Sequence, residues 1–495
     1  MGYNRLIKYS GQVFTPDFIV DIMLDFCGYN SKNILKKHLI DNSCGDGAFL
    51  CSAVLRYCKI FFQSYSDKEI LKNELQTYIH GIEIDEIAYK NCIYNLNEAS
   101  KQYGIKNVQW DIIKADALKI NKFDNLIDYV VGNPPYVRVH NLKNNYNIVK
   151  SFYFANGGMT DLYLAFFELG FRMMNRNGKL CYITPSSWLN SLAANNLRNF
   201  ISKTHKLNGI IDFEHYQAFE YANTYSMISL FDNSQLIDAI DYYIYNEIKK
   251  DKIFIDTLSY KDITIGQNFY ISTKKELNKI KKIKLFSHPK YCLVKNGFAT
   301  LADKVFIGDI PFDKFTIPII KASTGKWYKG FFPYDKFGKP LPRKIIFENK
   351  NISDYLEKNK EELLKGIPEK QNPNWYLYGR TQALKDVYRD KIAINTIIKD
   401  LDSIKLNFVP KGCGLYSGLY ILSEYSFEII TSLIKSQDFI DYIKILKNYK
   451  SGGYYTFNSK DLEQFLNFKL SKHETSENNL PLKKCGVSQG SFQFV

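Results

Sequence analysis

Over the first half of the chain, short apolar runs recur between stretches whose apolar residues return at helical spacing. Leu39-Ile40-Asp41, Tyr78-Ile79-His80-Gly81-Ile82-Glu83, Trp110 to Leu118 and Tyr129-Val130-Val131-Gly132 each read as a buried strand. Strands alternating with helices in this way predict parallel βαβ units, and hence an α/β, doubly wound, Rossmann-like domain. Ahead of them, Gln12 to Pro16 reads as a loop feeding a helix from Phe18 to Leu24, with Thr15 as its N-cap and Pro16 at its first position. Further on, Gly158 to Met174 carries an apolar helical stripe, and Leu180 to Thr184 is a strand stopped by Pro185. Gly209 to Phe213 and Tyr225 to Phe231 complete the sheet. Beyond Asp232-Asn233-Ser234 the pattern changes, to a strand-like Tyr242-Tyr243-Ile244-Tyr245 and a basic helix from Thr273 to Lys282. The expected division is therefore residues 1–240 and a second, mixed α+β domain over residues 241–495.

The strand ends carry candidate chemistry. After Asp41 comes Asn42-Ser43-Cys44-Gly45-Asp46-Gly47, a βα turn whose glycines let the backbone approach a ligand and whose helix start offers free N–H groups. Leu50 stands where a dinucleotide loop has its third glycine, which argues against a pyrophosphate ligand. Glu83 ends the second strand, where a carboxylate commonly accepts ribose hydroxyls, and Asp116 ends the third. The fourth strand stops at Asn133-Pro134-Pro135-Tyr136. The Asn133 side-chain oxygen and the Pro134 carbonyl, held by fixed proline φ angles, form a pair of acceptors able to grip an NH2 group. Tyr136 can cover a flat base that has left its stack. Each feature also has a plain alternative: a capped helix, a turn aspartate, a Pro-Pro turn with a core tyrosine. Their convergence on one edge of a parallel sheet favours a site.

Composition narrows the partner. The chain has 495 residues and is 45% hydrophobic, enough for two or more cores, and its formal net charge of +15 favours a polyanion. Nine cysteines are scattered without any C-x-x-C pair, so neither a disulfide framework nor a zinc site is expected. No apolar run is long enough to span a bilayer, and a cytoplasmic, membrane-free protein is expected.

The series FTP (14 to 16), DNSCGDGAFL (41 to 50), GIEID (81 to 85), ADAL (115 to 118), NPPY (133 to 136), TDLY (160 to 163), GKLCYITPSSWL (178 to 189) and AFEYANTYSMISLF (218 to 231) resembles the γ-class, TaqI-like DNA adenine-N6 methyltransferases. The match in order and spacing covers the first half of the chain. The resemblance implies an S-adenosylmethionine site lined by Thr15, Asp41, Ser43, Gly45, Gly47, Glu83, Ile84, Asp116, Ala117 and Pro135, with S-adenosylhomocysteine as product. It assigns Asn133, Pro134, Pro135 and Tyr136 to the target base and Phe219 to the base's other face. Asn42 stands where many relatives have proline, and Asp46 where serine is common.

The resemblance is looser in the second half, through Ile319 to Lys329, Trp375 to Gln382, Gly412 to Gly418 and Ser451 to Tyr455. It implies a DNA-specificity domain enclosing duplex DNA together with the first, and leaves open whether a separate cognate restriction endonuclease is a partner. Arg380 and Gln382 are side chains of the kind that read guanine and adenine edges. No metal is required, because a sulfonium is already an activated leaving group. Two other readings remain open: methylation of a protein glutamine amide or an RNA adenine, and a non-catalytic DNA-binding specificity subunit.

Overall fold

The computed structural model describes residues 15–138, 146–219, 225–234, 236, 238–365 and 372–476. Phe14, Glu220 to Thr224 and the polar tail beyond Ser476 lie outside the described residues. The chain divides into two compact units, Met1–Lys279 and Ile280–Val495.

The first unit is built on α1 (Asp17–Phe26), β1 (Leu39–Asp41), α2 (Ala48–Phe61), α3 (Lys68–Tyr78), β2 (Ile79–Glu83), α4 (Glu86–Lys101), β3 (Asp111–Lys114) and β4 (Ile127–Gly132). It continues through α5 (Tyr146–Ser151), α6 (Leu162–Met173), β5 (Met174–Pro185), α7 (Asn195–Thr204), β6 (Leu207–Asp212), β7 (Ser226–Asp232), β8 (Ala239–Asn246) and β9 (Asp251–Ser259). The nine strands form one sheet in the order β3-β2-β1-β4-β5-β7-β6-β8-β9. The run from β3 to β5 is parallel, and β7 pairs antiparallel with both β5 and β6. This is the α/β doubly wound sheet expected from the strand–helix alternation. Strand order reverses at β1, between β2 and β4, so the loops after these strands open onto one crevice. Strands β1 and β2 are buried throughout, and α2 lays Phe49, Leu50, Ala53, Val54 and Tyr57 on the core.

Two features differ from the sequence expectation. Strands β8 and β9 pair into this sheet, β8 parallel to β6 and β9 antiparallel to β8, so the first unit runs well past residue 240. Alternating apolar positions announce a strand but not which sheet edge it joins. Helix α1 begins at Asp17 with Pro16 at the N-cap position and no side-chain cap, because the Thr15 hydroxyl is engaged elsewhere.

The second unit mixes strands and helices. Cys292–Asn296, Leu419–Ser423, Lys391–Ile394 and Leu406–Val409 form an antiparallel sheet, and Lys326–Phe331, Thr316–Lys321 and Gly414–Tyr416 form a mixed one, in which Thr316–Lys321 pairs antiparallel with Lys326–Phe331 and parallel with Gly414–Tyr416. Lys391 is buried in this unit, where its Nζ donates to the carbonyls of Asp386, Val387, Arg389 and Cys413 at 2.9–3.2 Å. Burial pulls its pKa down to about 8. Asp386 accepts from Lys295 Nζ at 2.7 Å and Tyr420 Oη at 2.8 Å, so the segment bearing Arg380 and Gln382 is pinned at its downstream end. Among the described residues, no helix is long and apolar enough to cross a membrane.

Candidate active site

The turn after β1 depends on two positive φ angles, +55° at Gly45 and +93° at Gly47, which caps α2. A Cβ on Gly47 would stand 2.9 Å from Cys92 Sγ, whereas one on Gly45 would meet nothing within 4 Å. Gly47 therefore closes the turn onto α4, and Gly45 leaves open space in which a ligand can approach the backbone.

Three carboxylates surround this turn. Asp41 is buried, and its Oδ1 accepts from Ser43 N at 3.0 Å. Burial, reinforced by the neighbouring Glu83 and Asp46, pushes its pKa from the ordinary 3.8 to about 8. Glu83 accepts from Gly45 N at 2.8 Å through Oε2, and from Ile84 N at 2.9 Å and Asp85 N at 2.8 Å through Oε1. It ties the glycine turn to the end of β2. Asp116 accepts from Leu118 N at 3.1 Å and caps the short turn containing the buried Ala117. Ala115 N donates to Glu83 O at 2.9 Å, which sets Asp116 beside the end of β2. Ile84 stands next to Glu83 with 61% of its surface exposed, an apolar face beside polar groups.

The Asn133-Pro134-Pro135-Tyr136 loop leaves β4 beside that turn. Ser43 Oγ donates to Asn133 O at 3.5 Å, and Asn133 Nδ2 donates to Thr15 Oγ1 at 3.1 Å. Residues 118 positions apart thus set the amide's orientation, with its NH2 facing Thr15. Tyr136 is half-buried, and its hydroxyl donates to Ile183 O at 3.0 Å, with desolvation holding its pKa well above 10. Its ring meets the edge of Tyr163, with centroids 6.4 Å apart and planes at 85°.

Phe219 departs from the expected arrangement. It is buried in the core and packs edge-on against Tyr136, with centroids 6.1 Å apart and planes at 67°. The two rings touch, so a base lies between them only after they separate.

Sequence reasoning did not single out the carbonyl of Ile183 or the ring of Tyr163, which hold Tyr136, nor Tyr182, whose hydroxyl accepts from Asn42 Nδ2 at 2.6 Å. Their only signal was membership of the runs TDLY and GKLCYITPSSWL. Thr160 Oγ1, Thr184 Oγ1 and Trp188 Nε1 belong to the same runs and are buried with no hydrogen-bond partner among the described residues.

Residues 38–219 match the family model described as Eco57I restriction-modification methylase. The match spans little more than a third of the chain. The Type II methyltransferase M.BstVI of Geobacillus stearothermophilus is 28% identical over 343 residues, covering 61% of this chain and 60% of that protein. The Type II restriction enzyme and methyltransferase RM.Eco57I of Escherichia coli is 25% identical over 497 residues, covering 78% of this chain and 49% of that protein. The chain thus spans between about half and 60% of the length of these curated relatives. Among solved structures, the Type IIL restriction-modification enzyme MmeI in complex with DNA has a TM-score of 0.62 at 14% identity, over 90% of this chain and 65% of that one. A nuclease-deletion mutant of the Type ISP restriction-modification enzyme LlaGI in complex with a DNA substrate mimic has a TM-score of 0.55 at 11% identity, over 95% and 47%. At such identities the likeness is one of fold.

The titration of Asp41 yields a measurable consequence. Its raised pKa makes a contribution to stability that is full below about pH 3.8 and is lost as pH rises through about 8, because the folded state holds the proton more tightly. A ligand carrying positive charge favours the ionised form, so its affinity rises with pH up to about 8 and then levels. Isothermal titration of S-adenosylmethionine at several pH values checks this, and Asp41→Asn is expected to flatten the profile.

Proposed function

We propose that this chain is a site-specific DNA methyltransferase that transfers a methyl group from S-adenosylmethionine to N6 of an adenine everted from duplex DNA. The reading is carried by one observation: Asn133, whose side-chain amide is oriented by Thr15, meets the glycine turn that leaves room for a cofactor through its backbone carbonyl.

Asp41, Ser43, Gly45, Gly47, Glu83, Ile84, Asp116, Ala117, Pro135 and Thr15 would hold the cofactor, which supplies a methyl group activated on a sulfonium. Ile84 offers an apolar face to its adenine, and Asp116 an acceptor. Since Glu83 already binds three backbone N–H groups, it holds the turn in shape and presents its remaining lone pairs to ribose hydroxyls. The target adenine N6 is a poor nucleophile because its lone pair is delocalised into the ring. Asn133 Oδ1 and the Pro134 carbonyl accept its two hydrogens and free that lone pair for in-line attack, and the proton is released after transfer. Orientation and hydrogen bonding supply the rate enhancement. Tyr136 stacks on the base, and Phe219 joins it once eversion has parted the two rings.

The second unit is proposed to read the sequence. Arg380 and Gln382 are exposed; Arg380 N donates to Ala299 O at 3.0 Å, and the Gln382 side chain donates from Nε2 to Gly297 O at 3.4 Å, a bond it would exchange for a base edge. The test offers DNA, RNA and protein to the purified chain with tritiated S-adenosylmethionine, then maps the methylated sites by single-molecule sequencing. Label confined to adenine in DNA is expected; label in RNA or protein alone overturns the proposal. In the same assay Arg380→Ala or Gln382→Ala should relax preference at one base pair, at a cost of about 1–3 kcal/mol. An unchanged site profile removes that residue from the reading surface.

A further inference from the structure

We propose that Met159 and Leu192 form an apolar wedge that enters duplex DNA as the target base leaves the stack, an inference that rests on the DNA-methyltransferase reading above. Both side chains project into solvent, Met159 at 80% and Leu192 at 87% exposure. Both are carried on turns that buried and half-buried polar groups hold stiffly. Lys150 Nζ donates to the carbonyls of Asn156, Gly157 and Gly158 at 3.3, 3.4 and 2.8 Å, closing the turn that ends in Met159. Asn196 Nδ2 donates to Tyr153 O at 2.8 Å and to Asn156 Oδ1 at 2.9 Å, fastening the same turn to α7. The buried Arg198 donates from Nη1 to the carbonyls of Trp188 and Ser191, both at 2.8 Å, and from Nε to Gln267 O at 2.7 Å. Leu192 follows Ser191 directly.

The two turns adjoin each other, since a Cβ on Gly157 would lie 3.7 Å from Ala193 O. The Met159 turn is also sewn to the proposed base-handling loop. Leu162 N donates to Val137 O at 2.9 Å, Arg138 pairs with Asp161 in an antiparallel bridge, and Tyr163 meets the Tyr136 ring. These side chain–backbone hydrogen bonds hold two large apolar groups in water, where they are available to a partner. Duplex DNA fits that partner on two counts: the chain's net charge of +15 favours a polyanion, and the neighbouring loop handles a base only after it has left the duplex. Everting a base forfeits its stacking, and apolar side chains inserted at the opened step replace the lost contact. Methionine suits the task because its thioether is flexible and polarizable.

The test uses the full chain with Met159→Ala, Leu192→Ala and the double variant, on duplexes containing the methylation site mapped for the parent. In one duplex the target adenine is paired; in another it faces an abasic position, where eversion costs less. The double variant is expected to methylate the paired duplex at least about tenfold more slowly, the scale of one lost stacking contact. It should recover to within about threefold of the parent on the abasic duplex, because eversion there is already cheap. Fluorescence of 2-aminopurine at the target position should show the same loss and recovery. S-adenosylmethionine affinity should be unchanged, and Met159→Leu should behave as the parent. Equal losses on both duplexes, or no loss on the paired one, overturn the wedge while leaving the methyltransferase reading intact. A parent chain for which no methylated adenine can be mapped in DNA overturns that reading and the wedge with it.

Discussion

Asn133→Ala is expected to abolish measurable methyl transfer while S-adenosylmethionine still binds. The side chain donates from Nδ2 to Thr15 Oγ1 at 3.1 Å, and its backbone carbonyl, which accepts from Ser43, survives the substitution. The glycine turn therefore keeps its shape, and what disappears is the acceptor opposite the target amine. Removing one preorganised hydrogen-bonding group from a reaction centre typically lowers kcat by about 10²–10³. A comparable loss, with cofactor affinity within about threefold of the parent, follows if Asn133 acts on the transition state rather than on binding. Single-turnover methylation and calorimetry on the same preparation separate the two. Thr15→Val adds a graded control. It removes the acceptor that orients the amide without touching the amide itself, so its kcat should fall between those of the parent and Asn133→Ala. Rapid methylation by Asn133→Ala would remove this residue from the chemistry.

The contrast between Asn133 and Phe219 shows what the sequence disclosed and what it hid. The strand that delivers Asn133 was legible because Tyr129 to Gly132 is a short continuous apolar run stopped by two prolines just beyond it, the mark of a strand buried on both faces. Its place beside Asp41 was equally legible, since parallel βαβ units bring successive strand ends to one edge. Thr15 was mistaken for a helix cap because spacing shows neighbours along the chain, and its actual partner stands 118 residues away. Phe219 sat at the right place in a motif, but whether an aromatic ring faces a ligand or the core depends on packing that linear order does not carry. The extent of the first unit was misjudged at β8 and β9 for a related reason. Pairing Tyr243 with Ile211 and Phe254 is a long-range choice of sheet edge, and the local alternation of residues is the same whichever edge is taken.

Glu83→Ala should damage both folding and binding, a broader effect than loss of a ribose contact alone. In the folded chain the carboxylate accepts from the backbone N–H groups of Gly45, Ile84 and Asp85 at 2.8–2.9 Å, and Glu83 is buried. Deleting it leaves those donors without their acceptor in a partly enclosed turn. Hydrogen bonds to a charged group contribute about 1.5–3 kcal/mol each, but they share one carboxylate and water reaches part of the turn. A net destabilisation on the order of 3 kcal/mol is therefore expected, less than the three bonds added independently. Urea unfolding without ligand measures this term by itself, and calorimetry of S-adenosylmethionine gives the binding loss. Glu83→Gln discriminates further. Its amide oxygen can replace one carboxylate oxygen, accepting from Ile84 and Asp85, but its NH2 then points at the N–H of Gly45, setting donor against donor across the glycine turn. That variant should recover part of the stability and little of the cofactor affinity, because the turn that gives the cofactor its room is the part left unheld. Parental stability in Glu83→Ala with affinity alone reduced would make Glu83 a ligand contact only, and would mean that the glycine turn holds its shape without it.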